Sequence, residues 1–192
     1  MRSKPRFRKP FATALVIGLI PALLAASEQA QAKGPLIVAI GADNVYGHGI
    51  GRRNTGGVSP GEAFPAQLQA LLRARGIDAR VINAGEGGDT TLRMLQRLDS
   101  SVPEGTQLVI VDRANGNDKK AGLKAQQARY VQQIEGRLRA RHIAVIVIPR
   151  WRNIPHLNAN RDWDGHHFTA KGHAIIAHYL LPKVMAKLGR HR

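Results

Sequence analysis

The stretch that most constrains the fold of this sequence lies at residues 36–49, LIVAIGADNVYGHG. It opens with five apolar residues between a proline and a glycine. A run of that length, bounded by turn residues, is typical of a strand that is buried on both faces of a parallel sheet. A glycine-rich turn around Asp43 and Asn44 follows it, and open α/β sheets bind ligands at such turns. A plain strand-to-helix connection without chemistry is the alternative.

Three later apolar runs predict further strands at residues 79–84, 108–111 and 143–148. Helical patterns lie between them, and this alternation predicts a parallel sheet with right-handed crossovers in a flavodoxin-like, three-layer α/β/α sandwich. The polar turns that follow the first three strands must then share one edge of the sheet. Four helices are predicted. The first begins at residue 64 and stops at residue 76, and the second begins at a cap at residue 89 and runs through residue 98. The third spans about 122–141 and the fourth about 169–188, with a break expected at Pro182.

Residues 1–32 have the organisation of a secretory signal peptide. A basic head precedes an apolar run at residues 11–26, and Ala30-Gln31-Ala32 supplies a small-x-small cleavage pattern. We therefore expect cleavage after Ala32 and a periplasmic or secreted protein. An uncleaved membrane anchor is disfavoured because the run is short and contains Pro21. The remaining residues 33–192 are enough for one α/β domain, and without cysteine that domain forms no disulfide.

The charge is strongly positive. The chain carries 29 basic and 13 acidic side chains, and residues 33–192 retain 24 and 12 of these, a formal charge of +12. Such a charge favours contact with an anionic membrane or envelope polymer. Nucleic acid is disfavoured as a partner because no recognised binding motif is present and only 5% of residues are aromatic.

Four polar motifs follow one another along the chain. They are GADNVYGHG at 41–49, NAGEGGDTT at 83–91, NGND at 115–118 and DGHHFTAKGH at 164–173. Together they resemble the signature blocks of the SGNH, or GDSL-like, hydrolases, and the resemblance runs from residue 36 to the last helix. It implies hydrolysis of a small ester or acyl substrate, of the esterase or lysophospholipase type, without a cofactor or a metal.

The resemblance also implies roles for particular residues. Gly88 and Asn117 correspond to the oxyanion-hole positions, and Asp164 and His167 correspond to the acid and base of the triad. Elementary chemistry agrees with these roles. A backbone N–H and a side-chain amide are good donors to a developing oxyanion, and an aspartate three residues before a histidine can orient its ring.

The nucleophile position departs from the family pattern, because Asp43 stands where the resemblance places a serine. A carboxylate there could bind protonated His167 and occupy the oxyanion hole. Its attack on an ester would give an unfavourable anhydride, so we expect serine-type hydrolysis to be severely impaired. Two active roles stay open, a base acting on water and a carboxylate nucleophile toward another electrophile. The alternatives are an inactive pseudo-hydrolase that binds an acyl or glycan ligand in the cell envelope, and a deliberately altered serine parent.

The other polar and aromatic residues near these motifs are assigned simpler roles. His156, His166 and His173 match no zinc-ligand spacing and are expected at the surface or in packing. Asp89 and Asp118 are expected to cap or brace loops. Trp151 and Trp163 either wall a substrate cleft or pin the loop before Asp164.

Overall fold

The computed structural model describes residues 34–47 and 56–189. The expected signal peptide and its cleavage site lie outside these ranges, as do His48 and Gly49 of the first motif. Within the described residues, no helix combines the length and the hydrophobicity needed to cross a membrane.

The centre of the domain is a four-stranded parallel sheet. Its strands, in chain order, are β1 (Leu36–Gly41), β2 (Arg80–Gly85), β3 (Thr106–Val111) and β4 (Ala144–Val147). Their spatial order is β2-β1-β3-β4, so the chain moves outward from β1 to β2 and then returns to the other side of β1. That reversal opens a crevice at the carboxyl ends of β1 and β3, where doubly wound sheets bind ligands.

Helices cover both faces of the sheet. They are α1 (Asp43–Tyr46), α2 (Phe64–Arg73), α3 (Thr91–Gln96), α4 (Leu98–Ser101), α5 (Asn115–Lys120), α6 (Gln127–Ala140) and α7 (Ala170–Gly189). Helices α2 and α7 pack together on one face, and α3 and α6 pack together on the other. The predicted three-layer α/β/α sandwich is confirmed.

The alternation of side chains along β1 divides the core into two parts. Ile37 and Ala39 belong to the cluster beneath α2 and α7, whereas Val38 and Ile40 belong to the cluster beneath α3 and α6. All four are fully buried, which explains why this strand reads as a continuous apolar run.

Several predicted boundaries were wrong. Thr90, not Asp89, caps α3, because the Thr90 hydroxyl accepts the Arg93 N–H at 3.2 Å. Residues 115–118 form part of a helix instead of a turn, and the long helix α6 begins only at Gln127. Pro182 does not break α7, since the helix is buried on both sides of the proline and packing outweighs one missing hydrogen bond.

Asp118 explains why residues 115–120 are helical. Its buried carboxylate accepts hydrogen bonds from the Thr91 N–H at 2.9 Å, the Thr91 hydroxyl at 2.8 Å and the Gln127 amide at 2.7 Å. These bonds join α5 to the first residues of α3 and α6. The bracing role predicted for Asp118 is confirmed.

We predict that Asp118→Ala lowers the free energy of unfolding by about 2–4 kcal/mol, because it removes the acceptor of three donors, of which the two from Thr91 are buried. Urea denaturation followed by circular dichroism measures the change. Asp99→Ala is the control, since Asp99 is exposed and its Arg141 partner lies 3.8 Å away, and it should cost less than about 1 kcal/mol. Equal losses in the two variants would contradict the bracing role.

Candidate active site

The carboxylate of Asp43 lies at the centre of the candidate site. Asp43 is the first residue of α1, directly beyond the carboxyl end of β1. Its Oδ1 accepts the Gly88 N–H at 3.0 Å, and its Oδ2 accepts an N–H of the Asn117 amide at 2.7 Å. Both donors that the sequence assigned to an oxyanion hole therefore bind one carboxylate.

Local backbone geometry places these two donors. Gly88 adopts φ +76° in the turn between β2 and α3, a left-handed conformation that favours glycine, so its N–H is presented to Asp43 by the turn itself. Asn117 lies on α5, and its amide also donates to the Asp89 carbonyl at 2.9 Å. Because the same amide nitrogen donates both hydrogen bonds, the orientation of the Asn117 side chain is fixed.

The second half of the site is the loop of Asp164 and His167. Asp164 Oδ2 contacts His167 Nδ1, and Asp164 Oδ1 accepts the backbone N–H groups of His166 and His167, each at 2.9 Å. The Gly56 N–H donates to Oδ2 at 2.9 Å. Burial opposes ionisation of Asp164, but the His167, His166 and Gly56 donors outweigh it and hold the pKa of this carboxyl well below its usual range.

The two halves face each other across a short gap. His167 Nε2 lies 4.0 Å from Asp43 Oδ1, the distance of an ion pair when the ring is protonated. The His167 and Asp43 side chains are 13% and 22% exposed, so the gap is accessible from solvent. The structure thus brings together all five side chains or backbone groups that the sequence singled out: Asp43, Gly88, Asn117, Asp164 and His167.

A pocket of about 590 Å³ opens over these groups. Besides Asp43, Asn117 and His167, its lining includes Asp112, Lys119, Lys120, Trp151, Arg161 and His166. Trp151 therefore walls the pocket, and its ring also packs edge-on against Phe168. Trp163 is 70% exposed and is not among the lining residues.

Asp112 is a pocket residue that sequence reasoning missed. It directly follows β3, much as Asp43 follows β1 after one intervening residue, and this position after a buried strand was the available signal. Its side chain is buried next to Gly41, where an added Cβ would lie 2.6 Å from the Asp112 Cβ. Burial raises the pKa of Asp112 to about 6, against backbone hydrogen bonds from Arg113, Ala114 and Ala42, and the Asp43 charge adds to the rise.

Of the remaining histidines, His166 is exposed and lines the pocket, whereas His173 lies in the core. His173 is fully buried in α7, where its Nδ1 accepts the Phe64 N–H at 3.2 Å. Burial lowers the pKa of His173 to about 4, and the charge of His167 acts in the same direction. His173 therefore packs the core, as predicted. Among the described residues, no group of three histidine or carboxylate side chains is arranged to hold a metal ion.

Comparison of this chain with known sequences and solved structures identifies proteins of similar fold. No protein-family model matches this sequence, and no curated protein sequence matches it. The SGNH-hydrolase family esterase AlinE4 is 34% identical over 59% of this chain, with a TM-score of 0.48, and the match spans only 58% of AlinE4. TesA is 19% identical over 79% of this chain and 99% of its own, with a TM-score of 0.64.

The psychrotrophic esterase EstA from Pseudoalteromonas sp., in a structure inhibited by monoethylphosphonate, gives a similar result. It is 15% identical over 80% of this chain and 98% of its own, with a TM-score of 0.64. Such identities establish the fold and not the activity. The chain has the fold of the SGNH/GDSL-type esterases, as the resemblance in sequence predicted.

We predict that wild type loses stability relative to Asp112→Asn as pH rises from about 4 to about 6. Between the ordinary pKa of 3.8 and the folded value of about 6, the folded state holds a proton that the unfolded chain releases, so rising pH favours unfolding. A shift of this size corresponds to roughly 3 kcal/mol.

Urea denaturation of both proteins across this pH range measures the difference. His173 has the opposite slope, because its lowered pKa makes falling pH favour unfolding, but it is present in both proteins and cancels. A difference between the two proteins that does not change with pH would contradict the raised pKa of Asp112.

Proposed function

We propose that this chain is an ester hydrolase of the SGNH kind, of the esterase or lysophospholipase type, whose turnover is suppressed by Asp43. The observation that carries the proposal is the pair of hydrogen bonds from Gly88 and Asn117 to the Asp43 carboxylate. These are the donors that a tetrahedral oxyanion would need, and in the resting protein they already bind an anion.

The rest of the machinery supports ester chemistry. With Asp164 against its Nδ1, His167 directs Nε2 toward residue 43 and can take a proton from a hydroxyl placed there. Attack of that hydroxyl on an ester carbonyl would form a tetrahedral oxyanion, stabilised by Gly88 and Asn117. Collapse would release the alcohol, with the proton returned by His167, and water would then hydrolyse the acyl group from residue 43 by the same route.

Asp43 cannot perform this cycle efficiently. Both of its oxygens accept hydrogen bonds, which lowers their nucleophilicity and their basicity toward water. Attack through either oxygen would produce an anhydride, and the hydrogen bonds from Gly88 and Asn117 to Asp43 would have to break before those donors could stabilise an oxyanion. The same argument disfavours the two active roles that the sequence left open, the base on water and the carboxylate nucleophile.

A second candidate is a pseudo-hydrolase that binds an acyl or glycan ligand without turnover. The pocket of about 590 Å³ favours it, since the space over the site persists although Asp43 occupies the donors. Under this candidate the binding of intact ligand, and not its cleavage, is the function.

We predict that Asp43→Ser raises kcat/KM for short p-nitrophenyl esters by at least about 100-fold over wild type. The serine supplies a hydroxyl nucleophile and frees the two donors, and loss of a triad nucleophile typically leaves only about 10³–10⁴-fold catalysis over water. Initial-rate assays on both purified proteins measure the change.

Matched variants test the assigned roles. Asp43→Asn removes the charge without supplying a nucleophile and should stay as slow as wild type. Adding Asn117→Ala to Asp43→Ser should cost about 10²–10³-fold in kcat, the usual effect of losing one oxyanion donor. Wild type as fast as the serine variant would refute suppression by Asp43, and a folded serine variant without activity would favour the pseudo-hydrolase.

We also infer that residues 1–32 direct export and are removed. The basic head, the apolar run and the Ala30-Gln31-Ala32 pattern support this. In a Gram-negative host that expresses the full chain, we predict a periplasmic or secreted product that begins at Lys33 by intact-mass spectrometry. Ala32→Lys should block cleavage and retain the longer product. A full-length cytoplasmic protein would contradict export.

A further inference from the structure

Three cationic residues line the active-site pocket, and two of them, both lysines, are exposed. Lys119 and Lys120 lie at the end of α5, and Arg161 lies in the loop before Asp164. In residues 34–47 and 56–189, no carboxylate lies within ion-pair distance of any of the three. In this part of the chain, their charges therefore have no carboxylate partner.

Arg161 is held in place by groups that carry no charge. Its guanidinium donates to the His166 carbonyl at 3.1 Å and lies 4.9 Å from the centre of the Phe168 ring. These contacts fix the position of the charge and leave it unneutralised, which is the state of an arginine that can receive an anion.

The carboxylates near the pocket do not neutralise the charges of Lys119, Lys120 and Arg161. Asp43 is bound by Gly88 and Asn117, and Asp112 is 3% exposed and bound by backbone N–H groups. Asp118, next to the two lysines in sequence, is buried against Thr91 and Gln127. The pocket lining thus combines carboxylates that other donors hold with three cations that lack a carboxylate partner in the described residues, and uncompensated charge of one sign at a cleft concentrates ligands of the other sign.

The backbone before α5 delivers the lysines to this position. Ala114 has φ +45°, a left-handed conformation that is unfavourable for a residue with a Cβ. It turns the chain from β3 into α5 so that Asn117, Lys119 and Lys120 all line one pocket. Strain of this kind persists where the surrounding structure enforces it, often at functional sites.

We propose that the pocket takes esters that carry an anionic oxygen group, a carboxylate or a phosphate, beside the ester bond. Lys119, Lys120 and Arg161 bind that group while the ester carbonyl lies over Gly88 and Asn117. The hydrolytic part of this assignment rests on the proposed function, whereas the preference for an anion concerns binding and is tested separately.

Binding is measured in an Asp43→Gly background, which frees the donors without supplying a nucleophile. Nuclear magnetic resonance titration compares monoethyl succinate, which is anionic, with its neutral analogue diethyl succinate. We expect the anionic ester to bind about tenfold more tightly at low salt, and we expect high salt to weaken that preference.

The pair Lys119→Gln and Lys120→Gln should weaken this preference severalfold, because only Arg161 then remains to bind the anion. The matched control, Lys183→Gln with Lys187→Gln, removes the same charge from a separate groove beside Val145 and Ile146 and should leave the preference intact. Equal binding of the two esters, or equal effects of the two variant pairs, would overturn the proposal.

Two further arms separate the possible outcomes. If Asp43→Ser hydrolyses neither ester, the proposed function fails while the titration still decides the preference. If it hydrolyses both and the titration shows no preference, the function stands and the anion assignment is overturned.

Phosphatidylglycerol vesicles test a lipid headgroup as the source of the anion. If the Lys119→Gln and Lys120→Gln pair weakens binding to vesicles but not binding of the anionic ester, the pocket assignment is overturned in favour of surface docking.

Discussion

The hydrogen bonds that the Asp43 carboxylate accepts from Gly88 and Asn117 are the interaction on which the site depends. They tie together three separate elements, the end of β1, the turn after β2 and helix α5. Hydrogen bonds to an ionised acceptor are about twice as strong as neutral ones, so they stabilise this arrangement of loops. Catalysis, however, requires donors that bind more strongly in the transition state than before it. Under the proposed function, Gly88 and Asn117 already bind a full negative charge in the resting protein, so their hydrogen bonds would gain little strength when an oxyanion forms.

Close packing at the strand ends puts these elements within reach of one another. Gly41 and Gly85 lie side by side in the register of β1 and β2. A Cβ on Gly85 would lie 2.2 Å from the Tyr46 nitrogen, and one on Gly41 would lie 2.3 Å from the Val45 side chain. Helix α1 can therefore sit directly on the sheet edge only because both strands end in glycine. That approach sets the position of Asp43 at the start of α1, between the turn of Gly88 and the amide of Asn117.

The sequence predicted those parts of the molecule whose signals are local. Apolar runs gave the four strands, and the order of the polar motifs gave one sheet edge with Asp43, Gly88, Asn117, Asp164 and His167 near it; their catalytic roles stay predictions. The residue types at 115–118 predict a turn, because asparagine, glycine and aspartate favour turns. This segment is helical because the buried Asp118 carboxylate binds Thr91 and Gln127, far away in sequence. Asp112 was missed for the same reason, since its burial and its raised pKa come from neighbours that only the fold supplies.

An aspartate at position 43 is compatible with a stable fold for the same reason that, under the proposed function, makes it harmful to turnover. A partly buried carboxylate is costly unless donors satisfy it. Under the proposed function, the position where the Gly88 and Asn117 donors converge is the one that would stabilise the transient charge of an ester transition state. A permanent charge therefore fits there without disturbing the sheet or the loops. The stability of the fold and the proposed activity make opposite demands on residue 43. Each donor that holds the Asp43 carboxylate in place by a hydrogen bond is not available to the substrate.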